Sequence, residues 1–553
     1  MIYPKIPLAQ SIIEICHAKG LTDIIISPGS RNAPLTIGFV GNSNFKCYSI
    51  ADERCAAFFA VGMAQQTGKP VAIVCTSGSA LLNYYPAFAE AFYSQIPLVV
   101  IAADRPHDKI DIGDGQTIRQ ENVYANHSLY NANLTAAISD ENDFKINEAI
   151  NIAISQKGPV HINAPFEEPL YETVDALSVG VKISAYAKVT PELSISELQE
   201  FAGIWNASKR KMVLVGATFP NAISPKTAAA IANDESVVVL TETTSNVHHP
   251  TFINNIDTII TPFNDADFEA FRPEILVTFG GMIVSKRIKA FLRKYKPKHH
   301  WHIDALRAYD TFDALTKHFV CNPELFFEHF LPMTQVVESD YSAKAQQIKA
   351  LRQQKHEAYL ATIPFCDFKV FEKVIPSLPK NSHLQISNSS AIRYAQLIEI
   401  DPSIEVYCNR GTSGIDGSTS TAIGAAFANP KPTTLITGDI GFLYDSNALW
   451  NNYIPKNFKI ILINNGGGGI FRILPGHQET PVFTTFFETS HCLTAEHLAK
   501  MYGFEYRIAS NEKSLAEGLA TLCSENERPF ILEVFTPTLE NDKILLQYFR
   551  ELV

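Results

Sequence analysis

The sequence of 553 residues lacks several features that mark whole classes of protein. It contains no run of about 18 apolar residues, so we predict that no segment spans a membrane. Its beginning has no basic stretch followed by a long apolar run; it is typical of an amphipathic helix and not of a signal peptide, and we expect a cytoplasmic protein. The formal net charge of −11 lacks the basic excess that non-specific nucleic-acid binding requires.

Motifs built on cysteine, histidine and glycine spacing are also missing. None of the nine cysteines forms a Cys-x-x-Cys pair, so neither a disulfide framework nor a structural zinc site is expected. The histidines at 248, 249, 299, 300 and 302 lack a partner cluster at metal-binding spacing, and we interpret them as structural or surface residues. The dinucleotide fingerprint G-x-G-x-x-G and the phosphate loop G-x-x-x-x-G-K-[ST] are both absent, which disfavours nicotinamide oxidoreductases and nucleotide hydrolases.

Short apolar runs separated by helical patterns are abundant instead. Hydrophobic residues make up 46% and charged residues 19% of the chain, as in ordinary globular proteins. Near-continuous apolar strands alternating with helices predict parallel sheets that are covered on both faces. The predicted strands are 23–27, 45–50, 71–75, 98–102, 160–162, 212–215, 237–241, 275–279, 301–303, 384–386, 405–407, 434–437, 458–463 and 530–534.

The length and the grouping of these strands predict three consecutive α/β domains with mainly parallel sheets. We place them at residues 1–187, 188–345 and 346–553, with the polar segment 187–192 as a linker. Helices are predicted at 54–66, at 81–92 and at 342–359, the last bridging into the third domain. Because parallel α/β domains bind ligands at the carboxyl ends of their strands, residues just after each strand are the functional candidates.

Two strands of the third domain end in polar and glycine residues. Asp439 follows strand 434–437, and Asn465 precedes a run of four glycines after strand 458–463. If the strands are neighbours, Asp439, Asn465 and a backbone carbonyl such as that of Gly467 form a hard-oxygen set suited to Mg²⁺, with Mn²⁺ as an alternative. The glycines let the backbone approach a diphosphate closely. The competing interpretation is a simple Gly-Asp turn and an unrelated flexible loop.

This Gly-Asp and Asn-Asn pattern is similar to the metal-binding signature of thiamine-diphosphate enzymes, so we expect that cofactor. Enzymes of this class need a carboxyl group that hydrogen-bonds to the aminopyrimidine ring of the cofactor and promotes its activation. Glu53, at the join of a strand and a helix, is the candidate. A glutamate in a first helical turn also complements the helix dipole, which is the alternative interpretation.

Several further segments carry a closer resemblance. They are Ser-Pro-Gly-Ser-Arg-Asn-Ala-Pro-Leu at 27–35, Thr-Ser-Gly-Ser-Ala at 76–80, Ala-Asp-Arg-Pro at 103–106, Gln-Thr-Ile-Arg-Gln at 116–120, Asn-Arg-Gly-Thr-Ser-Gly-Ile-Asp-Gly at 409–417 and Ile-Phe at 470–471. Together with Gly438 and Asp439, they resemble the 2-succinyl-5-enolpyruvyl-6-hydroxy-3-cyclohexene-1-carboxylate synthase family of menaquinone biosynthesis. The resemblance covers most of the chain and is weakest in the middle domain.

The resemblance implies a thiamine-diphosphate-dependent carboligase with two small-molecule substrates. 2-Oxoglutarate would be decarboxylated, and its four-carbon succinyl semialdehyde unit would undergo 1,4-addition to isochorismate. The resemblance also implies a homodimer or homotetramer, because in this class Glu53 and the diphosphate site come from different subunits. Both substrates carry carboxylates, and the planar fork of arginine binds carboxylates bidentately.

The resemblance also assigns roles to individual residues. The catalytic residues that it implies are Glu53, Gln116, Arg393 and Arg410. The implied cofactor contacts are Glu53, Ser389, Gly414, Ile415, Asp439, Asn465, Ile470 and Phe471, with Ile415 beneath the cofactor and the last two as an apolar wall. The implied substrate contacts are Arg393 and Arg410 for 2-oxoglutarate and Ser30, Arg31, Arg105, Gln116, Lys286 and Arg287 for isochorismate.

Other interpretations stay open at this point. Each arginine could form a structural ion pair, and Ser389 could be a simple helix N-cap. Another thiamine-diphosphate 2-oxoacid decarboxylase or carboligase, such as an acetohydroxyacid synthase, would share the metal motif and Glu53 but does not predict this set of arginines. A non-catalytic binding protein with the same fold is disfavoured, because Glu53, Asp439 and Asn465 are all present.

Overall fold

Parallel sheets covered by helices form the framework of the chain. The computed structural model describes residues 2–186, 193–473, 476, 478–522 and 527–553, so the predicted linker 187–192 and Cys523 lie outside the described residues. Within the described part, the other eight cysteines are free thiols. None of the helices described is both long enough and apolar enough to cross a membrane.

The N-terminal sheet has the order β3-β2-β4-β5-β7-β6, with all neighbours parallel. A separate antiparallel pair joins β1 to β8. The elements are β1 (Tyr3–Pro4), α1 (Pro7–Ala18), β2 (Asp23–Ile26), α2 (Ala33–Val40), β3 (Lys46–Ser49), α3 (Glu53–Thr67), β4 (Val71–Cys75), α4 (Ala80–Asn83), α5 (Tyr85–Tyr93), β5 (Leu98–Asp104), β6 (Asn131–Asn133), α6 (Asp140–Gln156), β7 (Pro159–Pro165) and β8 (Thr173–Val174).

The middle sheet has the order β10-β9-β11-β12-β13, again parallel. The elements are α7 (Ile195–Ala207), β9 (Lys211–Val215), α8 (Pro225–Ala232), β10 (Val237–Thr241), α9 (Ile256–Ile260), α10 (Asp265–Phe271), β11 (Ile275–Phe279), α11 (Lys286–Lys294), β12 (His299–Ile303), β13 (Leu315–Phe319), α12 (Pro323–Phe330) and α13 (Tyr341–Thr362). The long helix α13 leads into the third part of the chain, as the sequence predicts.

The C-terminal sheet has the order β15-β14-β16-β17-β19-β18, also parallel. The elements are α14 (Asp367–Val374), β14 (His383–Ile386), α15 (Ser390–Ala395), β15 (Glu405–Tyr407), α16 (Ser418–Ala428), β16 (Thr433–Gly438), α17 (Asp439–Tyr444), β17 (Phe458–Asn464), α18 (Pro481–Phe483), α19 (Glu496–Met501), β18 (Glu505–Ala509), α20 (Glu512–Leu519), β19 (Phe530–Phe535) and α21 (Asn541–Glu551).

The prediction of successive parallel α/β units is confirmed. The N-terminal and C-terminal sheets share one topology: counted along the chain within each sheet, the strand order is second, first, third, fourth, sixth, fifth. The central strands are apolar throughout, as in β4 and β17, because helices cover both faces of each sheet. In both sheets the strand order reverses between the first and the third strand. Parallel sheets bind ligands at the carboxyl ends of the strands next to such a reversal.

Helices α3 and α16 join the two similar sheets by direct backbone contact. A Cβ added at Gly62 would lie 2.1 Å from the Thr421 carbonyl oxygen, and one added at Gly424 would lie 2.1 Å from the Phe59 carbonyl oxygen. Only glycine permits such an approach at both positions. This crossing places the start of α3, which carries Glu53, beside the C-terminal sheet.

The predicted helix 81–92 is wrong in one respect, since it is two helices, α4 and α5. Pro86 lies in the first turn of α5, where its missing N–H is tolerated, and a proline there cannot continue the preceding helix. Three edge strands, β6, β13 and β18, were not predicted, because polar residues interrupt them.

Candidate active site

The carboxyl ends of β16 and β17 lie side by side, as the sequence predicts. Asp439, the first residue of α17, is buried, and its Oδ2 accepts the backbone N–H groups of Gly466 and Gly467, both at 2.9 Å. Burial raises the pKa of Asp439, whereas the N–H of Ile440 and the nearby His491 ring oppose the rise. One carboxylate therefore ties the two strand-end loops together.

Asn465 is oriented by a residue that the sequence analysis missed. Its side-chain Nδ2 donates to Oδ2 of the buried Asp367 at 2.9 Å, so its amide oxygen points away from Asp367. Thr536 donates its hydroxyl to the other oxygen of Asp367 at 2.5 Å, and burial raises the pKa of Asp367 to about 6. Asp367 begins a helix and follows no strand, so the search of strand ends could not find it.

The strand-end loops leave room for a ligand. A Cβ added at Gly438 would meet no atom within 4 Å, and one at Gly469 would meet only the Asn465 side chain, at 3.6 Å. A pocket between these loops is lined in part by Asn465, Ile470 and Arg393. The open backbone between two loops rich in glycine fits a diphosphate group.

The donor set also fits a hard divalent cation that shares its ligands with such a group. Asp439 offers a carboxylate, Asn465 an amide oxygen and Gly467 a carbonyl that accepts the N–H of Gly469 at 3.0 Å. No group of three His, Cys, Asp or Glu side chains that could hold a metal occurs among the described residues. A cation here would complete its shell with oxygens from a bound phosphate or from water, as Mg²⁺ ordinarily does.

Glu53 is the first residue of α3 and is half-buried. The preceding Asp52 caps the helix by accepting the N–H of Cys55 at 3.0 Å, which leaves the Glu53 carboxyl free of that task. Asn83 donates to Oε2 of Glu53 at 3.4 Å. The position in the first turn is also favoured by the helix dipole, so position alone agrees with both interpretations of Glu53.

Two arginines follow the neighbouring strands β14 and β15 of the same sheet. Arg410 donates from Nη1 to the Asn388 side chain at 2.6 Å, while its buried Nε has no hydrogen-bond partner among the described residues. Burial lowers the pKa of Arg393, and the neighbouring Arg410 lowers it further, whereas Asp257 opposes both. Arg393 and Arg410 thus place two guanidinium groups near each other, and guanidinium groups suit a carboxylate ligand.

The loops around Arg410 are held by Asn388, another residue that the sequence analysis missed. The Asn388 side chain donates to the carbonyl oxygens of Asn409 at 2.7 Å and Gly414 at 2.6 Å. Ile415 follows, and a Cβ at Gly441 would lie 3.7 Å from its carbonyl oxygen, so Ile415 borders the helix that begins at Asp439. Asn388 follows strand β14, and strand-end position was the signal that could have identified it.

Ser389 does not act as a simple N-cap. Its side chain makes no capping hydrogen bond to α15, and its φ of 71° lies in the left-handed region that L-residues avoid. Backbone strain of this kind is concentrated at binding sites, where neighbouring contacts maintain it. Ile470 and Phe471 lie in a short helical turn, Gly469–Ile473, with the Phe471 ring 5.9 Å from that of Phe487.

A second group of predicted residues follows the carboxyl ends of strands in the N-terminal sheet. The buried Arg31 donates to the Phe166 carbonyl at 2.9 Å and to Glu168 at 3.2 Å. Arg105 lies 4.0 Å from the same Glu168 carboxylate and donates to the Gly115 carbonyl at 2.8 Å. The structure therefore brings Arg31 and Arg105 together. The loops that hold them also carry Ser30 and Gln116, which are exposed.

Lys286 and Arg287 are exposed at the start of α11. The Arg287 guanidinium stacks over the Phe549 ring at 4.7 Å. Burial raises the pKa of Asp257, and the charges of Arg287 and Arg393 oppose that rise. The helix start thus faces the Arg393 side of the C-terminal sheet. No hydrogen bond or ion pair in the described part of the chain joins it to Arg31 or Arg105.

Comparison with protein families identifies all three parts of the chain. The N-terminal TPP binding domain of thiamine pyrophosphate enzymes matches residues 6–127, the middle domain of thiamine pyrophosphate matches 185–386, and the C-terminal TPP binding domain of these enzymes matches 389–534. The N-terminal match includes strands β2 to β5, the C-terminal match includes most of the C-terminal sheet from β15 onward, and thiamine pyrophosphate is the same molecule as thiamine diphosphate.

Similar proteins extend along the whole chain. A 2-succinyl-5-enolpyruvyl-6-hydroxy-3-cyclohexene-1-carboxylate synthase of Flavobacterium johnsoniae is 71% identical, and one of Flavobacterium psychrophilum is 68% identical, each with 100% of both chains covered. A synthase of the same name from Porphyromonas gingivalis is 37% identical, with 97% of this chain and 96% of the relative covered. This chain therefore belongs to the 2-succinyl-5-enolpyruvyl-6-hydroxy-3-cyclohexene-1-carboxylate synthase family of thiamine pyrophosphate enzymes.

Proposed function

We propose that this chain decarboxylates 2-oxoglutarate and adds the succinyl semialdehyde unit to isochorismate, giving 2-succinyl-5-enolpyruvyl-6-hydroxy-3-cyclohexene-1-carboxylate for menaquinone biosynthesis. The observation that carries the proposal is Arg393, which lines the same pocket as Asn465 and has Arg410 near enough for its charge to lower the pKa of Arg393. A dianionic 2-oxo acid matches two adjacent guanidinium groups, whereas the donor pyruvate has no second carboxylate for them. The relatives are named for this product.

For the cofactor, we assign the metal ligands to Asp439, Asn465 and the Gly467 carbonyl, with Mg²⁺ as the ion and Mn²⁺ as a substitute. Asp367 supports this arrangement, because it takes the Asn465 N–H and leaves the amide oxygen for the cation. Gly414, Ile415 and Ser389 would contact the cofactor when it is bound.

When bound, thiamine diphosphate supplies a nucleophilic carbon and an electron sink for the decarboxylation of 2-oxo acids. The role of Glu53 would be to hydrogen-bond through its carboxyl group to the ring nitrogen of the cofactor's pyrimidine. Glu53 is half-buried, and Asp52 rather than Glu53 caps the helix, so the carboxyl group of Glu53 is available for that contact. Ile470 and Phe471 exclude water from the reacting side.

The two substrates use different arginines. Arg410 and Arg393 bind the carboxylate of 2-oxoglutarate that is remote from the reacting carbon. Ser30, Arg31, Arg105, Lys286 and Arg287 bind the carboxylates of isochorismate, and Gln116 hydrogen-bonds near the reacting centre. The shared contact of Arg31 and Arg105 with Glu168 supports this assignment, because it shows that one carboxylate can engage both side chains.

We further propose a cytoplasmic homodimer or homotetramer with domains at 1–187, 188–345 and 346–553. A site between subunits would bring the Arg31 group of one chain to the Arg410 group of another.

Donor selection tests the proposal. The purified protein, with thiamine diphosphate and Mg²⁺, should release CO₂ from 2-oxoglutarate at a far higher kcat/KM than from pyruvate. In Arg410→Ala, the preference for 2-oxoglutarate should fall by about tenfold or more, since one charge-assisted hydrogen bond to a carboxylate contributes about 1.5–3 kcal/mol. Wild-type protein that prefers pyruvate would reject the proposed donor while leaving the thiamine assignment intact.

A further inference from the structure

A buried glutamate of the N-terminal part of the chain binds the loop that carries Arg410. Glu90 lies in α5, is 1% exposed, and makes no ion pair within the described residues. Its Oε1 accepts the Gly411 N–H at 2.8 Å and the Ser94 hydroxyl at 2.6 Å. Its Oε2 accepts the Thr412 N–H at 2.7 Å and the Thr412 hydroxyl at 2.8 Å.

Each carboxylate oxygen of Glu90 thus accepts two hydrogen bonds, and three of the four donors belong to the Arg410 loop. A buried carboxylate is costly unless hydrogen bonds replace its lost hydration. Here three of the four replacing hydrogen bonds come from Gly411 and Thr412, the two residues directly after Arg410. Any movement of the loop would leave the charge of Glu90 partly unsatisfied, so the position of the loop is strongly restricted.

Gly411 shows how closely the loop and α5 fit. A Cβ at this position would lie 2.6 Å from the Glu90 carbonyl oxygen, 2.8 Å from the Ser94 hydroxyl and 2.9 Å from the Glu90 Oε1. All three distances are below those of real Cβ contacts, and two of the atoms belong to Glu90. The absence of a side chain at Gly411 is therefore required for this contact.

The loop is held on its other side by Asn388, which accepts from the Arg410 guanidinium and donates to the Asn409 carbonyl. Arg410 consequently has its backbone fixed by Glu90 and its guanidinium fixed by Asn388. The buried Nε of Arg410 remains without a partner in the described part of the chain. Such a preorganised arginine loses little freedom when a carboxylate binds.

We propose that Glu90 is a positioning residue for donor recognition. It fixes the loop 410–412 so that Arg410 can bind the carboxylate of the 2-oxo acid that is remote from the reacting carbon. The proposal rests on the proposed function, in which Arg410 binds 2-oxoglutarate. Glu90 acts through this loop, across the boundary between the parts of the chain that carry the N-terminal and C-terminal sheets.

The experiment compares kcat/KM for 2-oxoglutarate and for pyruvate in the full-length holoenzyme. Glu90→Gln removes the charge and places a side-chain amide N–H next to N–H and O–H groups that need an acceptor. Gly411→Ala disturbs the same contact without changing any charge. Both variants should lower the preference for 2-oxoglutarate over pyruvate about tenfold, through a higher KM for 2-oxoglutarate. The KM for isochorismate should stay within about twofold of wild type.

Ser94→Ala is the matched control, because it removes a hydrogen bond to Glu90 that does not come from the loop. It should keep the wild-type preference. If Glu90→Gln does not fold, Thr412→Val removes one loop hydroxyl and should shift the preference in the same direction by a smaller factor. A general folding defect would lower kcat/KM for both donors equally.

The inference is overturned if folded Glu90→Gln and Gly411→Ala keep the wild-type preference, or if both donors are affected equally. This outcome differs from failure of the proposed function, in which the wild-type protein itself would show no preference for 2-oxoglutarate.

Discussion

Replacement of Gly62 by alanine tests the close crossing of α3 and α16. The added Cβ would lie 2.1 Å from the Thr421 carbonyl oxygen and 2.7 Å from the Ala425 nitrogen, well inside the 3.4 Å at which ordinary contact begins. Both atoms belong to helix backbone, so no side chain can rotate away and the helices must separate. Alanine gains about 1 kcal/mol over glycine in a helix interior, but overpacking of a core costs about 1–3 kcal/mol and occasionally more.

Because the clash is with rigid backbone, we expect the upper end of that cost and a net destabilisation of about 2 kcal/mol. If a unit of about 200 residues unfolds cooperatively, this corresponds to a fall in Tm of about 5 °C. Activity should fall as well, since α3 carries Glu53. The measurement is thermal unfolding of wild type and Gly62→Ala under identical conditions of protein and cofactor concentration.

Gly203 provides the matched control for this prediction. It lies in α7, is exposed, and a Cβ there would meet no atom within 4 Å. Gly203→Ala should therefore stabilise the protein by about 0.5–1 kcal/mol through helix propensity and a less flexible unfolded chain. A Gly62→Ala protein with a Tm equal to or above that of wild type would refute the backbone contact.

The remaining predictions concern single carboxylates. Glu53→Gln should bind thiamine diphosphate in calorimetry with little change but lose most turnover; full activity would reject its proposed role. Asp439→Asn should weaken Mg²⁺-dependent binding of thiamine diphosphate at least tenfold in the same titration, and unchanged binding would remove Asp439 from the metal ligands. Glu242 is buried and accepts the N–H groups of Val284 and Ser285, and burial raises its pKa from 4.5 to about 7. The Glu242 carboxyl group therefore keeps its proton to a higher pH in the folded state than in the unfolded state. As the pH rises from about 4.5 to 7, this difference should lower the free energy of unfolding by about 3 kcal/mol. In Glu242→Gln this fall should be absent, which the pH dependence of Tm measures; identical profiles for the two proteins would contradict the buried carboxyl.

The order of strands along the sequence was enough to predict the central pair of the site. Apolar runs ending in Asp439 and Asn465 predict two parallel strands whose carboxyl ends meet, and β16 and β17 are such neighbours. The bounds of β4, β10 and β11 agree with the predicted runs, because these strands are buried on both faces. The fold class and the adjacency of the strand ends that carry Asp439 and Asn465 therefore follow from local patterns alone.

The residues that orient the site could not be predicted in the same way. Asp367 and Glu90 reach the site from a helix start and a helix middle, and only tertiary packing brings them to Asn465 and Gly411. The strained backbone of Ser389 also leaves no trace in a serine-rich segment that is typical of an N-cap. Contacts of this kind depend on how helices pack on the sheets, which a periodic pattern does not specify.

The central claim is most directly tested by following the consumption of isochorismate spectroscopically. Purified protein would receive thiamine diphosphate, Mg²⁺, 2-oxoglutarate and isochorismate, with pyruvate in place of 2-oxoglutarate as the control. The account predicts loss of isochorismate that requires both thiamine diphosphate and 2-oxoglutarate. Protein that binds thiamine diphosphate yet leaves isochorismate unchanged under these conditions would contradict it.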